Sequence, residues 1–259
     1  METPTTTDLF TEKSEAYAKY RASYPAEAID AILAPFKDQR SIQVVDVGAG
    51  TGIGSYLMAN QGAIVNAIEP NGSMIASAKR HELITYHQSV AEHIPIDSGF
   101  ADVVTSFQAF QWFDFKKSLK EFNRILKPQG QLALVWNYWD VTDTFTAAYT
   151  TLINNAVQKN LSRIEPYNGF TGKVKRQRMR LLWTFKYLPF FTNVQRHKFK
   201  LYKNMNLEAL VGCAKSQSNI IHNGSVWMEL IEEIEKLYNQ NASCRLAHNI
   251  NVFLASPTK

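Results

Sequence analysis

The chain predicts a doubly wound α/β sheet. Three observations predict it: short apolar runs recur through the first half, turn residues close them, and helix-spaced segments lie between them. Ile42 to Val47 (IQVVDV) is apolar almost throughout and stops at Gly48, as a strand covered on both faces does in a parallel sheet. Ala63 to Ile68 is a second strand, closed by Pro70 and Asn71. Ile84 to His87 is a weaker third, Ala101 to Phe107 a fourth and Gln131 to Trp136 a fifth. Helices are expected over Gly54 to Ala59, Ser73 to His81 and Phe115 to Leu126. Lys127-Pro128-Gln129-Gly130 reads as the turn that ends the last of these and starts the fifth strand. A sheet of this kind takes its ligand across the carboxyl ends of its strands.

Two stretches stand outside the alternation. An amphipathic N-terminal segment (FTEKSEAYAKYRASYP) leads into a helix opened by Pro25 and running to about Phe36. Beyond Trp136, helical spacing continues to about Leu161, followed by a loop with Pro166, Gly169 and Gly172 and by the basic run KVKRQRMR. Phe191 to Tyr202 and Ala247 to Ala255 read as strands with a helix, Val226 to Tyr238, between them.

Composition narrows the class. At 259 residues and 45% hydrophobic the chain can bury a substantial core, which excludes a disordered tail protein. No uncharged apolar run reaches the ~18 residues of a membrane span, and the N-terminus lacks the apolar stretch of a secretory leader. Cys213 and Cys244 form neither a CxxC pair nor a zinc set, so no metal is expected and a cytoplasmic location is. Residues 1–140 hold 12 basic against 16 acidic side chains, and residues 141–259 hold 16 against 7. The basic part suits a nucleic acid, an anionic lipid or an acidic small molecule, or is simply a solvated face.

The window Val44-Val45-Asp46-Val47-Gly48-Ala49-Gly50-Thr51-Gly52 is the most informative. A strand runs into three alternating glycines and then a helix, the arrangement that lets backbone amides approach a ligand. The spacing is GxGxG, and residue 53, where the dinucleotide fingerprint needs its third glycine, is Ile. Asp46 stands two residues before the first glycine, where it would repel a pyrophosphate and favour a ligand with ammonium and sulfonium charge. Glu69, at the end of the second strand, stands where a carboxylate takes ribose hydroxyls in such sheets. Pro70 stiffens its turn, and Met74 can cover a face of an adenine.

VVDVGAGTG, the IEPN turn, SVAEHIPI, DVVTSFQAFQWFD and LKPQGQLALVW, in that order and behind the lead-in AYAKYRASYP, resemble the class I S-adenosylmethionine-dependent methyltransferases, in their small-molecule type 11 subgroup. The resemblance is strong over residues 10–137 and weak to the serines at 216–218. It implies a Rossmann-like seven-stranded sheet of order 3-2-1-4-5-7-6 with one antiparallel strand. It further implies a single domain over 1–259, with a cofactor-binding core at 37–137 and helical cap elements at 1–36 and 138–190. S-adenosylmethionine is the implied cofactor. Gly48, Gly50 and Gly52 would line its methionine and ribose portion, with Thr51 at the helix entry and Asp46 among the cofactor-binding residues. Glu69 would bind both ribose hydroxyls, Pro70, Asn71 and Met74 would border the adenine, and Ala91 and Glu92 would meet its edge. Phe107 and Gln108 would close the methionine side, and Arg21 would pair with the cofactor carboxylate between Tyr17 and Tyr20. The chain departs from the pattern at Val90, where many relatives have Asp or Thr, and at Gln111, where many have a His able to accept a proton.

Methyl transfer from a sulfonium is an in-line displacement on an activated electrophile, so the enzyme chiefly aligns the reactants. A base is needed only for a protonated, weakly acidic acceptor, and a carboxylate needs none. A small-molecule acceptor would meet Gln111, Trp112, Tyr138 and Trp139, with His222 the best titratable group. Lys173, Lys175, Arg176, Arg178 and Arg180 would suit an acidic one. Nucleic-acid methylation is disfavoured: Ser106-Phe107-Gln108-Ala109 replaces an Asn-Pro-Pro-Tyr motif, and no Pro-Cys nucleophile or RNA-binding signature is present. The competing classes are an inactive copy of the fold kept for binding or regulation, against which the intact glycine turn and Glu69 speak, and a nicotinamide enzyme, against which Ile53 and Asp46 speak.

Overall fold

A computed structural model describes residues 20, 23–161, 189–217 and 224–258. Its helices are α1 (Ala26–Leu33), α2 (Ile53–Asn60), α3 (Gly72–Ala76), α4 (Phe115–Ile125), α5 (Thr144–Leu161), α6 (Leu207–Lys215) and α7 (Gly224–Asn239). The strands are β1 (Gln43–Val47), β2 (Ile64–Ile68), β3 (Ile84–His87), β4 (Ala101–Phe107), β5 (Leu126–Trp139), β6 (Phe191–Asn204) and β7 (Arg245–Pro257), in one sheet of order β3-β2-β1-β4-β5-β7-β6. This is the order the motifs imply.

Strands β1 to β5 pair in parallel. All seven residues of β4 are buried, as expected of a central strand with cover on both faces. The last strand is antiparallel to its neighbours. Asp140 N–H, just past β5, donates to Ala247 O near the start of β7 (2.8 Å), while Trp136, earlier in β5, packs edge-on against Phe253, later in β7. Likewise Met205 N–H, after β6, reaches Cys244 O before β7, and Thr258 N–H, after β7, reaches Phe190 O before β6. β6 is an edge strand with an exposed row of Arg196, Lys198 and Lys200, charges that discourage pairing with another chain.

The chain divides into two compact units, one built on Ser23–Asn137 with the first part of β6 and the end of β7, the other on α5, α6, α7 and the adjoining strand segments. The second has its own core, in which Tyr149, Leu210, Ile234 and Leu246 are fully buried and Tyr149 donates to Leu210 O (2.7 Å).

Two local expectations change. The segment Lys127–Gly130 is not a turn before a strand; it lies inside β5 as a bulge. Leu126 pairs with Ala101 and Gln131 with Val103, so four residues stand opposite Asp102 alone. Lys127 Nζ donates to Asp102 Oδ1 (2.7 Å), and Asp102 Oδ2 accepts from Gln43 N–H (2.8 Å), so one buried carboxylate ties β1, β4 and the bulge. The helix expected over Ser73 to His81 stops at Ala76. Lys79 N–H instead donates to Thr51 O (3.3 Å), and its ammonium lies 3.5 Å above the Tyr56 ring, so tertiary partners outbid a further helical turn.

α2 lies very close to β4: a Cβ placed on Gly54 would sit 2.2 Å from Phe107 Cδ2. Gly54→Ala is therefore expected to cost about 1–3 kcal/mol through overpacking. Urea denaturation checks this, and Phe107→Leu in the same chain should recover part of the loss.

Candidate functional site

The carboxyl ends of β1, β2 and β4 build the site. β1 ends in the turn Gly48–Gly52, whose three glycines all have left-handed backbone, with φ of 70°, 58° and 78°. Gly48 and Ala49 N–H both donate to Ile68 O, which locks the turn to the end of β2. A side chain is excluded at Gly48 by contact, since a Cβ there would lie 2.4 Å from Ala109 Cβ, and one on Gly52 would have to displace the Tyr86 hydroxyl, 2.0 Å away. At Gly50 a Cβ would meet nothing within 4 Å, so the middle of the turn faces open space.

Glu69 borders that space. Its Oε2 accepts from Gly50 N–H and its Oε1 from Asn71 N–H, both at 2.9 Å, and the side chain is 8% exposed. Burial raises its pKa above the usual glutamate range, and the two backbone donors offset part of that. Two fixed N–H groups orient the carboxylate and leave its remaining lone pairs for hydroxyl donors. Asn71 caps α3, its Oδ1 accepting from Ser73 and Met74 N–H, and Met74 is buried behind it. Pro70 is exposed, and its carbonyl accepts from Gln88 Nε2 (3.1 Å).

Asp46 is placed differently from a direct ligand contact. Its carboxylate is 1% exposed, and its oxygens accept from Ser55 Oγ (2.6 Å) and Thr105 Oγ1 (2.8 Å), which clips α2 to β4. Burial raises its pKa to about 6. Any pull on a bound cation acts through space.

Of the other predicted positions, Ala91 is buried, while Glu92 Oε1 accepts from Asp114 N–H (2.7 Å) at the start of α4. Phe107 packs on Gly54 and Tyr24, with ring centroids 4.8 Å apart in the latter pair. Trp112 is half-buried in the short turn Phe110–Trp112. Tyr138 is half-buried, and Trp139 packs edge-on against Tyr149. Tyr20 donates to Glu208 Oε1 (2.7 Å), and its ring abuts Gly212. Tyr17, Arg21, His222 and the basic run from Lys173 to Arg180 lie outside the described residues.

Three buried polar atoms near these strand ends have no hydrogen-bond partner among the described residues: Thr51 Oγ1, Ser106 Oγ and Gln108 Oε1. Buried polar atoms are rarely left unpaired, so each of these suits a polar ligand group. Ser106 was missed from sequence, because a serine inside a buried strand carries no signal of its own. The partners of the two glutamines were missed as well. Gln108 Nε2 donates to Asn137 O, Gln111 Nε2 to Gln108 O, and Trp136 Nε1 to Gln111 Oε1 (2.9 Å).

A family model described as a methyltransferase domain matches residues 45–134, the stretch that holds the turn, Glu69 and the two glutamines. An uncharacterized methyltransferase of Mycobacterium tuberculosis is 31% identical over 208 residues, covering 80% of this chain and 75% of the relative. The malonyl-acyl-carrier-protein O-methyltransferase of Buchnera aphidicola is 27% identical, covering 57% of this chain and 62% of that protein. Among solved structures, a candidate type II methyltransferase from Anaeromyxobacter dehalogenans superposes with a TM-score of 0.67 at 20% identity, over 92% of this chain and 98% of its own. Phosphoethanolamine N-methyltransferase 2 of Haemonchus contortus, solved with phosphomonomethylethanolamine and S-adenosylhomocysteine, gives 0.53 at 16% identity, over 99% of this chain and 61% of its own. Both superpositions show a shared fold.

Proposed function

Because the chain belongs to the class I methyltransferase family, we propose that it transfers a methyl group from S-adenosylmethionine to a small organic acid or another acidic metabolite. The observation that carries the cofactor reading is Glu69, clamped by Gly50 and Asn71 N–H beside the open face of Gly50. The residues present fit the group: a carboxylate for a ribose diol, and unpaired acceptors at Thr51, Ser106 and Gln108 for hydroxyl and ammonium donors. In this reading Met74 and Ala91 border the adenine, and Arg21 with Tyr17 and Tyr20 meets the methionine end. Bound S-adenosylmethionine supplies a methyl carbon already activated by its sulfonium. The chain's own task is then to orient the cofactor, keep Glu69 ionised against burial, and hold the acceptor in line. The proposed work is cytoplasmic and on a small molecule.

The acidic acceptor rests on three supports. The C-terminal part of the chain carries the basic surplus, KVKRQRMR included. No general base is required for a carboxylate, and one relative is named for O-methyl transfer to a malonyl group. Calorimetry with S-adenosylmethionine and NAD tests the cofactor. Mass spectrometry of small organic acids incubated with the enzyme then finds the acceptor. With that acceptor, Arg176→Glu/Arg178→Glu is expected to raise KM at least about tenfold while S-adenosylhomocysteine affinity stays unchanged. An unchanged KM makes the basic run a solvated face.

A further inference from the structure

Gln111 is 5% exposed, and each end of its amide makes a hydrogen bond. Its Oε1 accepts from the Trp136 indole, and its Nε2 donates to the main-chain carbonyl of Gln108. Gln108 follows β4 directly and has a φ of 58°, left-handed backbone that a side chain normally avoids. Rotating Gln108 back to the right-handed region would swing its flanking peptide groups and break the bond to Gln111. Its own N–H is held by Val135 O (2.9 Å), and its side-chain Nε2 by Asn137 O. What this bracing leaves over is Gln108 Oε1, a buried acceptor with no partner among the described residues.

We propose that Gln111 is a positioning residue, anchored on Trp136, that keeps Gln108 strained so that Gln108 Oε1 accepts a hydrogen bond from a ligand ammonium group. The inference rests on the cofactor reading above, since the amino group of the methionine portion is the donor it needs. It gives Gln111 a role apart from contact with the acceptor, since its amide is held from both ends. Strain at a residue beside a binding site persists only when its surroundings enforce it, and here the bonds from Gln111, Val135 and Asn137 enforce it.

The test uses the full chain and two ligands. S-adenosylhomocysteine carries the ammonium group, whereas 5′-methylthioadenosine keeps the ribose and adenine without it. Gln111→Met is expected to lower S-adenosylhomocysteine affinity about tenfold and to leave 5′-methylthioadenosine affinity within about twofold. Gln108→Gly, which keeps left-handed backbone without strain, should give the same loss, and adding Gln111→Met to it should cost no more than about a further twofold. Gln111→His offers one acceptor and one donor nitrogen while neutral. It should recover affinity to within about threefold of wild type at pH 8 and lose it, relative to wild type, below pH 6, where the imidazolium can no longer accept.

Losses that multiply in the double variant, equal losses for both ligands, or a Gln111→Met protein that binds as wild type each overturn the positioning role. Should Gln111→Met fail to fold, the pH-dependent recovery in Gln111→His decides alone. A wild-type protein that binds neither ligand sinks the cofactor reading itself, a result distinct from all of these.

Discussion

Glu69→Ala is expected to lower affinity for S-adenosylhomocysteine at least tenfold, the sum of two ribose hydrogen bonds to a carboxylate at about 1.5–3 kcal/mol each, less what water recovers. The loss has a second part. Gly50 and Asn71 N–H both donate to this carboxylate, so its removal leaves the middle of the glycine turn without its tie to the end of β2. Glu69→Gln keeps one acceptor oxygen and should lose less. Burial raises the Glu69 pKa, so wild-type binding should weaken on acidification at a higher pH than an ordinary glutamate would give. Calorimetry on each variant, with circular dichroism to show that it is folded, checks the set. A folded Glu69→Ala protein of unchanged affinity would remove Glu69 from the site.

Asp46→Asn is expected to stabilise the protein at pH 7. Desolvation lifts the Asp46 pKa from 3.8 to about 6, so between these values the folded chain binds a proton that the unfolded chain has released. Stability from this group is complete below about pH 4 and is lost as pH rises through about 6, on the order of 3 kcal/mol in all. Asparagine avoids the buried charge and still presents an oxygen to Ser55 or Thr105 and an amide to the other hydroxyl. Urea midpoints at pH 5 and pH 7 decide it. The wild type should gain stability on acidification relative to the variant, and parallel pH slopes in the two proteins would refute the assignment.

The core of the fold was legible because its signals are local. Buried parallel strands need unbroken apolar runs, and IQVVDV and ADVVTSF supply them; a parallel crossover needs a helix, and helix-spaced segments of suitable length stand between the runs. The glycine turn was legible for the same reason, since left-handed backbone at Gly48, Gly50 and Gly52 is written directly in residue type. The edge pair β7-β6 was reachable through family resemblance, because two amphipathic strands do not say in sequence which edge they join.

What stayed hidden depends on partners far apart in the chain. Lys127–Gly130 has turn composition, yet Asp102 holds it within β5 as a bulge. The helix after Asn71 stops early because Thr51 O and the Tyr56 ring take Lys79. The sequence by itself determined the α/β alternation, the glycine turn and the carboxylate at the end of the second strand, since backbone conformation, burial period and charge at a strand end are properties of single residues and their spacing. The tertiary structure alone decided that Asp46 clips α2 to β4 and that Gln111 is bonded between Trp136 and the carbonyl of a left-handed Gln108. The physical reason is that a hydrogen bond between residues brought together by folding is chosen by three-dimensional proximity, which neither composition nor spacing encodes.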